Sequence, residues 1–148
     1  MSNQSNTISV VDYAIARLFK AGVKDIFGIP GDFAFPWGDA VANNKDMNWL
    51  GVSNELNGSY AADGYARVNG IGALATTYAV GEMSALAGIM GAKAEKVPLI
   101  HLVGMPSLRE QKQPHKRWHH THGDGAYQNF TNTAAQSACA HERWTPEN

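Results

Sequence analysis

The sequence predicts an α/β fold: a doubly wound, mostly parallel sheet with helices on both faces. Two observations lead there. Helical and strand patterns alternate along the chain, and the strand segments are continuous apolar runs rather than runs that alternate apolar and polar. A parallel sheet covered by helices on both sides gives that pattern, because neither face of its strands meets water.

Each element follows from a local signal. Val11, Ile15, Leu18 and Phe19 share one helical face, with Ser9 or Asp12 near the start and Gly22 as a stop. A first strand runs from Asp25 to Ile29 and ends at Pro30-Gly31-Asp32. Phe35 to Asn44 reads as a short helix entered through Pro36, and Trp49 to Val52 as a second strand. A small-residue helix follows through Ala61, Ala62, Gly64 and Ala66. Gly72 to Thr77 is a third strand, Met83, Leu86 and Met90 mark one face of a further helix, and Val97 to Val103 is a fourth strand. Gly70-Ile71-Gly72-Ala73-Leu74-Ala75 fits a dinucleotide fingerprint only as text, since it leaves a helix and enters a strand, the wrong order for cradling a pyrophosphate.

At 148 residues, 44% hydrophobic and 9% aromatic, the chain has room for one domain with one core. A formal net charge of -1 gives no electrostatic reason to expect nucleic acid or an anionic membrane as partner, and only Lys112 to Arg117 is locally basic. Cys139 is the single cysteine, which excludes an internal disulfide, and its small neighbours predict a core position. With no apolar signal core in Met1 to Asn6 and no run of membrane-spanning length, the expectation is a soluble, cytoplasmic protein.

In an open parallel sheet, ligands gather at the carboxyl ends of the strands. Asp32, Glu55, Thr77-Tyr78 and the segment after Val103 all lie just past a predicted strand end and are expected to share one rim. Glu55 stands where a strand turns into a helix lined with small residues, so it is expected to be partly buried. Gly31 and Gly81 supply tight turns or close backbone approach there. Beyond the fourth strand, Arg117-Trp118-His119-His120-Thr121-His122 sets adjacent histidines in a loop, a candidate acid and base pair. His115 raises the question of a metal site, but Pro114 and Gly123 break any regular spacing and no second ligand cluster is present, so none is assigned.

Gly28-Ile29-Pro30-Gly31-Asp32, the stretch Asn54 to Arg67, Thr76 to Ala85, and His119-His120-Thr121 with Gly123-Asp124-Gly125 together resemble the thiamine diphosphate-dependent 2-oxo acid decarboxylases, and among them the indolepyruvate and phenylpyruvate decarboxylase group. The four segments occur in family order and span almost the whole chain. The resemblance implies that residues 1–148 are the N-terminal domain that binds the cofactor's aminopyrimidine, with a sheet of about six strands. It implies that Glu55 hydrogen-bonds N1′ of the pyrimidine, favouring the tautomer that removes the thiazolium C2 proton. Asp32, His119 and His120 would manage protons during release of the aldehyde. Pro30, Gly31, Thr77, Tyr78 and Gly81 would line the pyrimidine pocket.

The same resemblance implies what is missing. Enzymes of this type carry two further domains, the last of which holds the diphosphate through a divalent metal, expected to be magnesium, so no metal ligand is assigned to this chain. Thr145-Pro146 reads as the start of a helix that the sequence does not continue, which predicts a truncation or one half of a split enzyme. His122 stands where the family has an apolar residue, and Arg117-Trp118 where aliphatic residues are common. Partners implied are a small 2-oxo acid, and a second copy or a complementary diphosphate-binding subunit. The alternative is a non-catalytic homologue that acts as a binding or interaction domain.

Overall fold

A computed structural model describes residues 7–113 and 117–145. His115 and Pro146, which enter the expectations about metal binding and a further helix, lie outside the described residues.

The chain opens with α1 (Val10–Lys20), whose N-cap Ser9 accepts a hydrogen bond from the Asp12 N–H at 3.0 Å. Ala14, Ile15 and Leu18 form its buried face, whereas Phe19 is exposed. Then come β1 (Asp25–Gly28), a 3₁₀ turn (Asp32–Ala34), α2 (Phe35–Ala42), β2 (Asn48–Gly51), α3 (Glu55–Asn69) and β3 (Gly72–Thr76). The remainder is α4 (Val80–Ser84), α5 (Leu86–Ala94), β4 (Leu99–Val103), α6 (Leu108–Gln111) and α7 (Asn129–Ala135). Among the described residues, no helix is long and apolar enough to cross a membrane.

The strands pair in the order β2-β1-β3-β4, all parallel. Successive side chains of a strand point to opposite faces, and the two cores divide accordingly. Ile26, Ala73, Ala75 and Leu102 meet α1 and α2 on one side, while Phe27, Leu74 and Leu99 meet Ala62 of α3, Ala85 and Ile89 on the other. The sheet is thus doubly wound, with its topological switch between β1 and β3.

It has four strands among the described residues, not about six. Beyond Val103, Pro106, Gly123, Gly125 and polar runs leave no apolar stretch long enough for a further strand, and the chain folds instead into α6, turns and α7. α6 opens with a capping box between Ser107 and Glu110.

Small residues let α3 approach the sheet, but not all of those expected. Gly58, Ala62 and Ala66 are buried, and a Cβ on Gly72 would meet the Ala62 carbonyl oxygen at 2.3 Å; Gly64 faces open space. The helix expected through Met83, Leu86 and Met90 is two helices joined at Ala85. Its inward face is Gly81, Glu82, Ala85, Gly88 and Ala92, and Met90 is exposed. A Cβ on Gly88 would fall 2.1 Å from Ser59 Oγ, a separation that only glycine permits between α5 and α3. Cys139 is exposed rather than in the core; Ser137 takes the buried place beside it.

Candidate active site at the carboxyl edge of the sheet

The switch between β1 and β3 brings the segment after each strand to the same rim. After β1, Gly31 has an extended backbone, and a Cβ there would lie 2.5 Å from Thr77 Cβ and 2.9 Å from Thr77 Oγ1. Glycine is needed at this position because the threonine just past β3 fills the space. Thr77 also touches the far side of the row, its Cγ2 lying 3.1 Å from the Cβ position of Gly81. Glu55 closes it, with Oε1 2.9 Å from that same position. Gly31, Thr77, Gly81 and Glu55 therefore form one continuous row across the ends of β1, β3 and β2.

Local structure fixes both ends of this row. Asn54 caps α3, its side chain accepting from the Asn57 N–H at 2.9 Å, so Glu55 is the first helical residue and is half-buried. The β3–α4 turn passes through Ala79 at φ 57°, ψ -87°, a conformation alanine seldom adopts, with a cost on the order of 1–3 kcal/mol. Hydrogen bonds from Glu82 N–H to the Thr77 carbonyl and from Met83 N–H to the Ala79 carbonyl close the turn. Two polar side chains in this turn lack full satisfaction. Thr77 is buried and its hydroxyl has no hydrogen-bond partner; Glu82 is 1% exposed and its Oε2 has none either. Burial pushes the Glu82 carboxyl up to about 7, against the pull of the Ala79 N–H.

A second group adjoins the row through the chain itself, since Asp32 follows Gly31. Asp32 Oδ2 lies 2.8 Å from His119 Nε2, and its Oδ1 accepts from the Phe33 N–H at 2.9 Å. Burial opposes ionisation of Asp32, but the His119 and Phe33 hydrogen bonds, with the charges of His119 and His120, outweigh it and hold the carboxyl below its ordinary value. The pair stays accessible, both side chains being about half exposed. His119 stacks on Phe33 with ring centroids 4.9 Å apart and planes 15° from parallel, and His120 meets the His119 ring edge-on at 4.6 Å. His120 itself sits at φ 64°, in the left-handed region.

Tyr78 is placed differently from the other rim residues. It is fully buried, its hydroxyl donates to the Tyr127 carbonyl at 2.9 Å, and burial pushes its phenol up to about 12. Its ring is edge-on to Phe33 and Phe130 in a cluster that ties the β3–α4 turn to the histidine loop. Pro30 is exposed and borders a separate apolar hollow of about 260 Å³ beside α2, with Phe35 and Trp49. Asp124 is occupied locally, accepting from the Ala126 N–H at 2.9 Å. Phe33 and Glu82 are the neighbours that sequence reasoning passed over. Glu82 lies inside the Thr76 to Ala85 motif, and its place one residue after Gly81 was the available signal.

Residues 8–135 match the family described as thiamine pyrophosphate enzyme, N-terminal TPP binding domain. The chain belongs to this family. A Schizosaccharomyces pombe protein named as a candidate pyruvate decarboxylase is 48% identical over 128 residues, covering 85% of this chain and 22% of its own length. The alpha-keto-acid decarboxylases of Mycobacterium avium and Mycobacterium leprae are each 41% identical, over 138 and 133 residues, which are 93% and 90% of this chain and 24% and 23% of theirs. The chain therefore spans about a quarter of the length of the curated relatives it matches.

Thiamine diphosphate is the cofactor of this TPP-enzyme family. The rim fits its aminopyrimidine end: a carboxylate on Glu55, a buried threonine hydroxyl without a partner, and two glycines where any side chain would intrude.

Proposed function

We propose that this TPP-binding domain is the pyrimidine-binding part of a thiamine diphosphate-dependent decarboxylase that converts a 2-oxo acid of the pyruvate, phenylpyruvate or indolepyruvate type into an aldehyde and carbon dioxide. The observation that carries the reading is the Glu55 carboxylate held over Gly81 at the start of α3, in a row with the unpartnered Thr77 hydroxyl. A diphosphate-binding domain with its divalent metal, on the same protein or on a second chain, completes the site.

When bound, thiamine diphosphate supplies an acidic carbon and a sink for the electrons released with carbon dioxide. Glu55 holds a proton at N1′ of the pyrimidine, and the first turn of α3 orients it. Thr77 offers its hydroxyl to a polar edge of the ring, while Gly31 and Gly81 allow the ring to come close. The overall reaction consumes one proton for each carbon dioxide released, so the site needs a proton donor beside the reacting carbon. Asp32 and His119 form that donor. With Asp32 ionised and accepting, His119 Nε2 carries the hydrogen and Nδ1 is the nitrogen left to take or give a proton, with His120 beside it.

The test joins this domain to a diphosphate-binding domain and follows aldehyde and carbon dioxide release from pyruvate, phenylpyruvate and indolepyruvate. Turnover of at least one is expected. A folded, cofactor-loaded assembly that turns over none of them contradicts the proposal and favours a binding domain without catalysis.

A further inference from the structure

We propose that Phe33 is the positioning residue for His119, so that the dipeptide Asp32-Phe33 holds one imidazole by its edge and by its face together. The inference rests on the reading of Asp32 and His119 as the proton-handling pair.

The contacts are reciprocal. Asp32 meets His119 Nε2 at 2.8 Å, and the Phe33 ring lies 4.9 Å from the imidazole at 15°. The Phe33 N–H also donates to Asp32 Oδ1, which fixes the carboxylate that receives the imidazole. Alone, a half-exposed carboxylate–imidazole pair is a weak restraint, because holding two side chains in one geometry costs entropy and the Coulomb term is screened. An aromatic face adds a second restraint at right angles to the hydrogen bond.

Phe33 is itself immobile enough to serve. It lies in the 3₁₀ turn closed by the hydrogen bond from Ala34 N–H to the Gly31 carbonyl. A Cβ on Gly104 would fall 2.0 Å from the Phe33 carbonyl oxygen, so the chain leaving β4 runs directly against this turn. The ring also pairs edge-to-face with Tyr78, centroids 6.0 Å apart, and the Tyr78 hydroxyl is bonded to the Tyr127 carbonyl. The histidine loop is anchored on either side of the pair, by Trp118 packed on the aromatic cluster and His122 stacked on Phe130, but His119 and His120 themselves are exposed and His120, Gly123 and Gly125 have positive φ. Position is thus transmitted from the buried aromatic cluster through Phe33 to His119.

The test is NMR of the full chain, reading the ring protons of His119 and the side-chain carboxyl carbon of Asp32 as pH is varied. In the unaltered protein, the His119 carbon-bound ring protons should be displaced upfield by the Phe33 face. Phe33→Leu should abolish that displacement and move the Asp32 midpoint up toward its ordinary value, and Phe33→Tyr should restore both. The His101 ring signals on β4 report whether the sheet is intact. Absence of the upfield displacement in the unaltered protein overturns the proposal, whatever the variants do. So does a Phe33→Leu chain with unchanged His101 signals and an unmoved Asp32 midpoint. Neither readout involves cofactor or turnover, so this proposal and the decarboxylase reading fail separately.

Discussion

The carboxylate of Glu55 fills the space that a side chain on Gly81 would need, with Oε1 2.9 Å from the position of a Cβ there. The nearest obstructing atom is the far end of a flexible side chain, and Thr77 Cγ2 at 3.1 Å need give only slightly, so Gly81→Ala is expected to move the carboxylate rather than disrupt the fold. Stability, read by chemical denaturation, should fall by no more than about 1–2 kcal/mol. Cofactor-dependent turnover in the assembled enzyme should fall far more.

Gly31→Ala should behave in the opposite way. Its Cβ would meet Thr77 Cβ at 2.5 Å, inside a buried contact, so the two strand ends must separate. A loss of about 1–3 kcal/mol is expected, visible as a lower denaturation midpoint with an unchanged slope.

Asp32→Asn replaces the charged carboxylate that orients His119 with a neutral amide. Both side chains are half exposed, so the change in stability should stay within about 1 kcal/mol. Turnover in the assembled enzyme should fall by about 10²–10⁴-fold, the usual contribution of a general acid or base. A variant that keeps its full rate would take the pair out of the proton chemistry.

Two groups, the fully buried Glu82 and the partly buried His101, set opposite pH dependences. Burial pushes the Glu82 carboxyl from 4.5 up to about 7, so the folded state binds the extra proton and stability falls as pH rises from about 4.5 through about 7. Glu82→Gln should remove that loss and make the protein more stable than the unaltered chain above pH 7. His101 is the reverse case. Burial holds its imidazole down at about 4 instead of 6.5, and its Nε2 lies 2.8 Å from the Thr76 hydroxyl. Here the unfolded state binds the extra proton, so stability should fall as pH drops from about 6.5 through about 4, and thermal melts across that range would show it.

Much of this fold is legible in the residues. The four strands stand out as apolar runs stopped by Pro30-Gly31, Val52-Ser53 or Gly104, and each was placed to within a residue or two. The rim was legible as well, because strand ends are fixed once strands are, and Asp32, Glu55 and Thr77 follow strand ends. What was not legible depends on contacts distant in sequence. The stripe of Met83, Leu86 and Met90 has a helical period, yet the face that packs is the one with Gly88, because only glycine tolerates Ser59 so close. Likewise, nothing local links His119 to Asp32, 87 positions earlier; the link needs the chain after β4 to run under the Asp32–Ala34 turn. Glu82 carries no local signal of burial, and only tertiary packing takes its carboxyl out of water and raises it to about 7.

In the proposed mechanism Glu55 holds a proton at N1′ of the bound pyrimidine. The most direct measurement is the rate at which the C2 proton of thiamine diphosphate exchanges with deuterium in the assembled enzyme, with and without Glu55→Gln. The amide cannot exchange a proton at N1′, so a decrease on the order of 100-fold or more is expected, with cofactor still bound. An exchange rate within a few-fold of the unaltered enzyme would mean that Glu55 does not hold that proton.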